Sequence, residues 1–415
     1  MPRPNSRHNL IQLQSDTIKL MAKLMTLKDI NFASKTVFLR VDYNVVEDGK
    51  VIDEFRIQQS VPTIRALLAK NSKIILVSHN GRPENGYDKK LSLRPVAQVL
   101  ADLIKKPVGF VDDCVGPEVE LEVGKLKPGE ILLLENLRFH KAEEKNNYNF
   151  AKSLARLADV YVDDAFANAH RAHASMVGVP KFLPHAAGLL MQQEFEKLTA
   201  LLNVPARPFV AIIGGVKIST KIEVLKSLLN KADTVIIGGA MANTFLQAQG
   251  YQIGKSITEK DYIATAKDII EYAKQNKTEL IMPTDFVVAE KAQHGVRHRH
   301  VASDKIESND IALDIGKETM KSIWPIIKSA KTIFWNGTLG MAEIPDFAWA
   351  SRDLAHMIAL RKNDAETVIG GGDTAAFISK LAMRDRFGFV STGGGASLEL
   401  LSGVKLPAIE ALMSK

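Results

Sequence analysis

The stretch Ala211-Ile212-Ile213-Gly214-Gly215-Val216-Lys217-Ile218-Ser219-Thr220-Lys221 decides the fold. It opens with an apolar run of strand length, breaks on two glycines, and passes into helical spacing at Ile218, Val224, Leu225, Leu228 and Leu229. A strand, a tight turn and a helix N-terminus make an anion site, because free N–H groups and the positive end of the helix dipole face whatever lies beyond the turn. Lys217 and Lys221 are expected on one helix face, where both reach one polyphosphate. The competing interpretation is an ordinary βα turn with two solvated lysines, and the surrounding chain decides between them.

Outward from this stretch the same rhythm recurs. Short apolar runs stand at Val37–Val41, Ile74–Val77, Val108–Val111, Ile131–Leu134 and Val160–Val162, separated by helix candidates such as Val61–Ala69 and Pro95–Ile104. A second series follows at Phe209–Ile213, Thr234–Ile237, Leu280–Met282, Ile311–Leu313, Ile333–Phe334, Val368–Ile369 and Phe387–Val390. Continuous apolar strands alternating with amphipathic helices predict parallel sheets covered on both faces. The fold class is therefore α/β, with two doubly wound, Rossmann-like domains. Met191–Leu202 reads as a helix between them, ended by the prolines of Asn203–Pro208. Such an element suits a hinge, so the two domains are expected to close when both substrates bind.

Composition sets limits. A chain of 415 residues exceeds one ordinary core, and 46% apolar with 24% charged residues is a globular composition. The single cysteine, Cys114, has no partner for an internal disulfide and suits a reducing, cytoplasmic compartment as a small buried hydrophobe. A net charge of +7 favours anionic partners, yet basic and acidic residues are interleaved. That pattern predicts a local basic cleft and no nucleic-acid stripe. No apolar run reaches membrane-spanning length. Residues 1–24 carry Arg3, Arg7, Lys19 and Lys23 against one acid, Asp16. They are set apart from the fold as a tail or upstream start, with a targeting segment or surface helix as the alternative.

Ligands of open parallel sheets bind beyond the strands' carboxyl ends. In the first half those ends carry Asp42, Asn44, His79, Arg82, Glu135, Asn136, Arg138, Asp163 and Asp164, with His170, Arg171 and His173 close behind. Guanidinium and imidazole groups at such a rim suit a small, multiply charged anion. In the second half the ends carry Gly214, Gly215, Lys217, Gly238, Gly239, Asp285, Asn336, Gly337, Gly370–Asp373 and Gly393–Gly395. A glycine-rich rim suits phosphates lying on bare backbone. Two rims, one per substrate, point to a transfer reaction between them.

Eight segments in this order closely resemble the signatures of the phosphoglycerate kinase family. They are Arg40-Val41-Asp42-Tyr43-Asn44-Val45, Ser78-His79-Asn80-Gly81-Arg82-Pro83, Glu135-Asn136-Leu137-Arg138-Phe139, Ala169-His170-Arg171-Ala172-His173-Ala174-Ser175, Gly214-Gly215-Val216-Lys217, Trp335-Asn336-Gly337, Gly370-Gly371-Gly372-Asp373-Thr374-Ala375 and Ser391-Thr392-Gly393-Gly394-Gly395-Ala396-Ser397. The resemblance implies reversible phosphoryl transfer between 1,3-bisphosphoglycerate with ADP and 3-phosphoglycerate with Mg-ATP, by a monomer with Mg2+ as cofactor. It implies an acid-substrate domain over residues 25–190, to which 404–415 return, an interdomain segment over 191–206, and a nucleotide domain over 207–403. Asp42, Asn44 and Arg56 would hold the carboxyl end of the acid, and His79, Arg82, Arg138 and Arg171 its distal phosphate. Arg56 and Lys217 would be the cations of the transfer site, with Gly394 and Gly395 presenting a helix N-terminus to it. Lys221, Gly371, Gly372 and Thr374 would line the nucleotide phosphates, Glu343 would meet the ribose, and Asp373 would bear on the metal. The chain departs from the family's usual residues at Val46 (Pro), Asn80 (Leu), Val216 (Ala), Thr220 (Asp), Thr338 (Pro) and Ala342 (an aromatic). The alternative from another class is a non-catalytic nucleotide sensor that keeps the fold.

The chemistry agrees independently of the resemblance. Phosphoryl transfer needs in-line positioning and charge neutralisation more than a protein nucleophile. Other motifs fall away. Gly250-Tyr251-Gln252-Ile253-Gly254-Lys255-Ser256 has one residue too few between its glycines for a P-loop and follows a helical pattern. His294, His298 and His300 alternate with arginines, so a solvated loop is expected there in place of a metal cluster.

Overall fold

A computed structural model describes residues 23–84 and 86–414; the expectations for residues 1–22 lie outside them. The chain divides into two compact units. Among the described residues, one takes in those up to Ala165, Arg171–Gln192 and those from Pro407; the other takes in Phe166–His170 and Gln193–Leu406. The division falls inside the helix Leu189–Asn203.

The first unit contains β1 (Thr36–Arg40), the two-residue strands β2 (Val46–Glu47) and β3 (Lys50–Val51), then β4 (Lys73–Val77), β5 (Gly109–Val111), β6 (Ile131–Leu134), β7 (Val160–Asp163) and β8 (His185–Ala187). Six of these form one sheet in the order β5-β6-β4-β1-β7-β8. All its pairings are parallel, and β2 and β3 make a small antiparallel hairpin. Residues such as Ile74–Val77 are buried on both faces of the strand, which is why they read as an unbroken apolar run. The helix Phe55–Leu68 buries Ile57, Ile64 and Leu67 at helical spacing against the Val37, Leu39, Ile74 and Leu76 core. Each such side chain contributes roughly 1.5–3 kcal/mol.

The second unit contains β9 (Phe209–Ile213), β10 (Thr234–Ile237), β11 (Glu279–Ile281), β12 (Asp285–Ala289), β13 (His298–Ala302), β14 (Ile311–Ile315), β15 (Thr332–Asn336), β16 (Glu366–Gly370) and β17 (Phe389–Val390). Its parallel sheet runs β11-β10-β9-β15-β16-β17.

Three expectations are corrected. The run Ile311–Leu313 does not join the parallel sheet; as part of β14 it pairs antiparallel with β12 in a separate three-stranded sheet. An apolar run of that length carries no information about strand direction. His298 and His300 lie on β13 of that sheet, exposed, and not on a loop; His294 Nδ1 instead meets Asp346 Oδ2 at 3.0 Å. Lys217 and Lys221 do not share a helix face, because the helix begins only at Ile222. The lysines stand in the preceding turn, where Ser219 donates through its N–H and hydroxyl to Glu259 and pins the chain before the helix starts.

Candidate active site

In the first unit the candidate side chains come mainly from the carboxyl ends of β1, β4, β6 and β7. Arg40 is buried at the end of β1; its Nε donates to Ser175 Oγ at 3.0 Å and its Nη2 to His79 Nδ1 at 3.1 Å. Because a guanidinium can only donate, Nδ1 is the acceptor and the His79 proton sits on Nε2. Burial, then the charges of Arg40, Arg138, Arg171 and His173, push the His79 pKa well below the usual imidazole range. His79 is thus a neutral donor among cations. Arg138 is also buried, its Nη1 bonded to Gly81 O at 2.6 Å while Nη2 has no partner. Burial first, and Arg171 next, bring its pKa down to about 10. Arg171 likewise keeps a buried Nε–H without a partner. Orphaned buried donors each cost about 1–3 kcal/mol, and a bound anion removes that cost. Arg82, expected beside them, is exposed and lines a separate depression with Glu84, Tyr87 and Asp88.

Arg56, in the first turn of its helix, is held by Asp42 at 2.7 Å. The hairpin of β2 and β3 folds the intervening loop so that this pair forms. Asp42 therefore orients the arginine. Asn44 accepts from Gly81 N–H at 2.8 Å, joining the ends of β1 and β4.

Two departures from the family's usual residues explain each other. Asn80 Oδ1 accepts from Val46 N–H at 3.0 Å, and Asn80 Nδ2 donates to Val46 O at 2.9 Å. A proline at 46 has no N–H to give, and a leucine at 80 needs none. In a double-mutant cycle, Val46→Pro and Asn80→Leu are expected to destabilise singly and to couple favourably by about 1–2 kcal/mol. Additive effects in urea unfolding would disprove the pairing.

In the second unit, Lys221 folds back along the end of β9. Its Nζ donates to Gly214 O and Asn336 Oδ1, both at 2.6 Å, which leaves one N–H of three. Burial lowers its pKa to about 8, opposed by Asp373. Gly371 has φ +88, and a Cβ there would stand 2.6 Å from Asn336 Nδ2, so only glycine fits this entry to the helix Gly372–Lys380. Thr374 is buried, its hydroxyl accepting from Gly337 N–H at 2.7 Å. Gly372 and Asp373 are exposed in the helix's first turn. The glycines divide into two kinds. A Cβ at Gly214 would lie 2.2 Å from Thr338 O, so Gly214 serves backbone packing, whereas Gly372, Gly394 and Gly395 face open space. Lys217 is exposed on its loop. Glu343 lines a cavity of about 180 Å³ with Val216, Asn243, Phe286, Leu313 and Met341. Inside it, Asn243 Oδ1 has no partner among the described residues. Ala342 packs against the unit's main core.

Glu194 is a supporting residue that no pattern in the sequence singles out. It is fully buried and accepts from Thr392 N–H at 2.6 Å, Thr392 Oγ1 at 2.9 Å and Ser391 Oγ at 2.7 Å, pinning the turn that leads to Gly394 and Gly395. Burial raises its pKa from 4.5 to about 7. The folded state then holds a proton that the unfolded chain releases, so this contribution to stability is complete below about pH 4.5 and is lost as pH rises through about 7. Wild type should therefore lose stability relative to Glu194→Gln across that window, by roughly 3 kcal/mol. Parallel unfolding curves at all pH values would show that the carboxyl stays charged.

A neutral imidazole and buried guanidinium groups at one sheet edge, and an ammonium with open amides at another, define the class: a small-molecule phosphotransferase built on two parallel-sheet units. The phosphoglycerate kinase pattern matches residues 27–404, and the chain belongs to that family. A phosphoglycerate kinase of Moorella thermoacetica is 49% identical over 95% of this chain and 100% of its own length. One from Dictyoglomus turgidum is 47% identical with the same coverage. Among solved structures, the phosphoglycerate kinase of Coxiella burnetii superposes with a TM-score of 0.85 at 39% identity, covering 94% of this chain and 99% of that one. That of Pyrococcus horikoshii gives 0.78 at 31%, over 94% and 98%. No helix of the described residues is long and apolar enough to cross a membrane.

Proposed function

We propose that this enzyme transfers a phosphoryl group reversibly between 1,3-bisphosphoglycerate with ADP and 3-phosphoglycerate with ATP, the first unit binding the acid and the second the nucleotide. The observation that carries it is the set of unfilled donors: Arg138 Nη2, Arg171 Nε and the third N–H of Lys221. We assign the acid's distal phosphate to Arg138, Arg171 and the Nε2–H of His79; Arg82 would have to swing out of its separate depression to join them. Arg56, steadied by Asp42, meets the carboxyl end together with Asn44 and neutralises the transferring group.

On the nucleotide side, Lys221 takes a phosphate oxygen through its free N–H. Gly371, Gly372 and Thr374 line the phosphates, Glu343 reaches the ribose from the rim of its cavity, and Lys217 brings a second cation. The Gly394–Gly395 turn offers backbone N–H groups to developing charge. Asp373 suits Mg2+, which takes one or two carboxylates together with phosphate oxygens; its exposed oxygens in the first turn of a helix meet that demand. When bound there, the ion would neutralise phosphate charge. In-line transfer needs the reacting atoms about 3–3.5 Å apart, so closure around both substrates, by a single chain, belongs to the proposal.

An assay coupling 3-phosphoglycerate-dependent ADP formation to NADH oxidation tests it. Turnover with 3-phosphoglycerate and Mg-ATP is expected; nucleotide binding without turnover would overturn it in favour of a sensor.

A further inference from the structure

Among the described residues, outside the two substrate sites, one group of side chains has the composition of a metal centre. Asp113 and Cys114 follow β5, and His140 follows the turn Leu137–Phe139 after β6; β5 and β6 are paired, Val111 opposite Leu134. A carboxylate oxygen, the thiol sulfur and an imidazole nitrogen of these residues lie within 4.8 Å of one another. The groups are already organised. Asp113 Oδ1 accepts from Cys114 N–H at 2.6 Å and meets His140 Nε2 at 2.7 Å, and the His140 ring stacks on Phe150 at 5.3 Å between centroids. Cys114 is buried, His140 partly exposed and Asp113 exposed, so the cluster opens to solvent on one side.

We infer that Asp113, Cys114 and His140 form a site for a thiophilic divalent cation of the zinc type. Sulfur, nitrogen and oxygen donors in one set favour such an ion over the hard, oxygen-seeking Mg2+. With zinc–ligand bonds of about 2.0–2.3 Å, the donor atoms need only small movements to surround one ion, and three protein ligands leave a fourth position for water. On binding, a metal–sulfur bond forms as the S–H bond breaks and its proton leaves to solvent; the imidazole coordinates through Nε2 with its hydrogen on Nδ1. His140 stands two residues beyond Arg138, so occupancy of this site fixes the turn that carries one of the anion-binding guanidiniums.

Because Cys114 is the chain's single cysteine, thiolate coordination has an unambiguous signature. The full chain, freed of metal, is titrated with Co2+ and with Cd2+ in the absence of nucleotide. A thiolate-to-metal charge-transfer band should grow to saturation at one equivalent and be abolished by Zn2+ but not by excess Mg2+. It should vanish in Cys114→Ala, and the apparent affinity should fall at least tenfold in His140→Ala and Asp113→Asn. Absence of the band in wild type at millimolar metal overturns the inference without reference to any variant. So does a band whose midpoint is the same in a folded His140→Ala protein, since the thiol would then bind alone.

Discussion

Replacing Arg56 with alanine lowers kcat by about 10²–10³-fold while KM for either substrate changes only a few-fold. The reason is the timing of its contact. Charge spreads over the three equatorial oxygens as the phosphoryl group moves, so a cation placed there binds the transition state more tightly than the ground state. Kinetics separate this effect from simple unfolding. Arg56 is partly exposed, but its partner at 2.7 Å, Asp42, is buried, so alanine leaves that carboxylate without its counter-charge and costs stability as well. The loss in kcat should therefore persist at temperatures where the variant is still fully folded. Asp42→Ala should give a smaller fall in kcat, because it frees the guanidinium without removing it. Lysine should rescue poorly, since it offers a point charge in place of a planar fork. An unchanged turnover number in Arg56→Ala removes this residue from the mechanism.

Lys221→Ala is expected to lower kcat/KM for the nucleotide by about 10²–10³-fold, and here stability falls too. The ammonium satisfies Gly214 O and Asn336 Oδ1, and deleting it leaves two part-buried acceptors unpaired at about 1–3 kcal/mol each. A pH profile distinguishes the charge from the scaffold. With its pKa lowered to about 8 by burial, Lys221 carries its proton below that pH and loses it above. Nucleotide kcat/KM in wild type should therefore decline as pH rises past about 8, and that limb should be absent from the alanine variant. A decline of the same size in both proteins would assign the titration to another group.

Much of the molecule was legible before any coordinates. Runs such as Ile74–Val77 and Phe209–Ile213 announce buried strands because both faces of a central strand are covered, and the helices alternating with them announce the parallel arrangement. The chemistry-bearing residues were findable because a strand's carboxyl end is also a place in the sequence: Asp42, His79, Arg138 and Asn336 all stand at or just beyond such an end. The direction of β14 was not legible, since hydrophobic pattern sets a strand's faces and not its partners. The helix start after Lys221 is not legible because Glu259, 40 positions beyond Ser219, holds that residue and keeps the turn open.

The sequence by itself determined the α/β class with two parallel-sheet domains, the basic character of one rim and the glycine-rich character of the other, and the family to which the chain belongs. Tertiary structure decided which groups are spent and which are free. It showed Arg40 holding the His79 tautomer, Asp42 steadying Arg56, Asn80 joined to Val46, Glu194 pinning the Ser391–Thr392 turn, and Asp113, Cys114 and His140 gathered at two adjacent strand ends. The physical reason is common to all five. Local periodicity follows from neighbours in the chain, whereas a hydrogen bond's partner and a carboxyl's pKa are fixed by neighbours in space, which a linear order of residues does not specify.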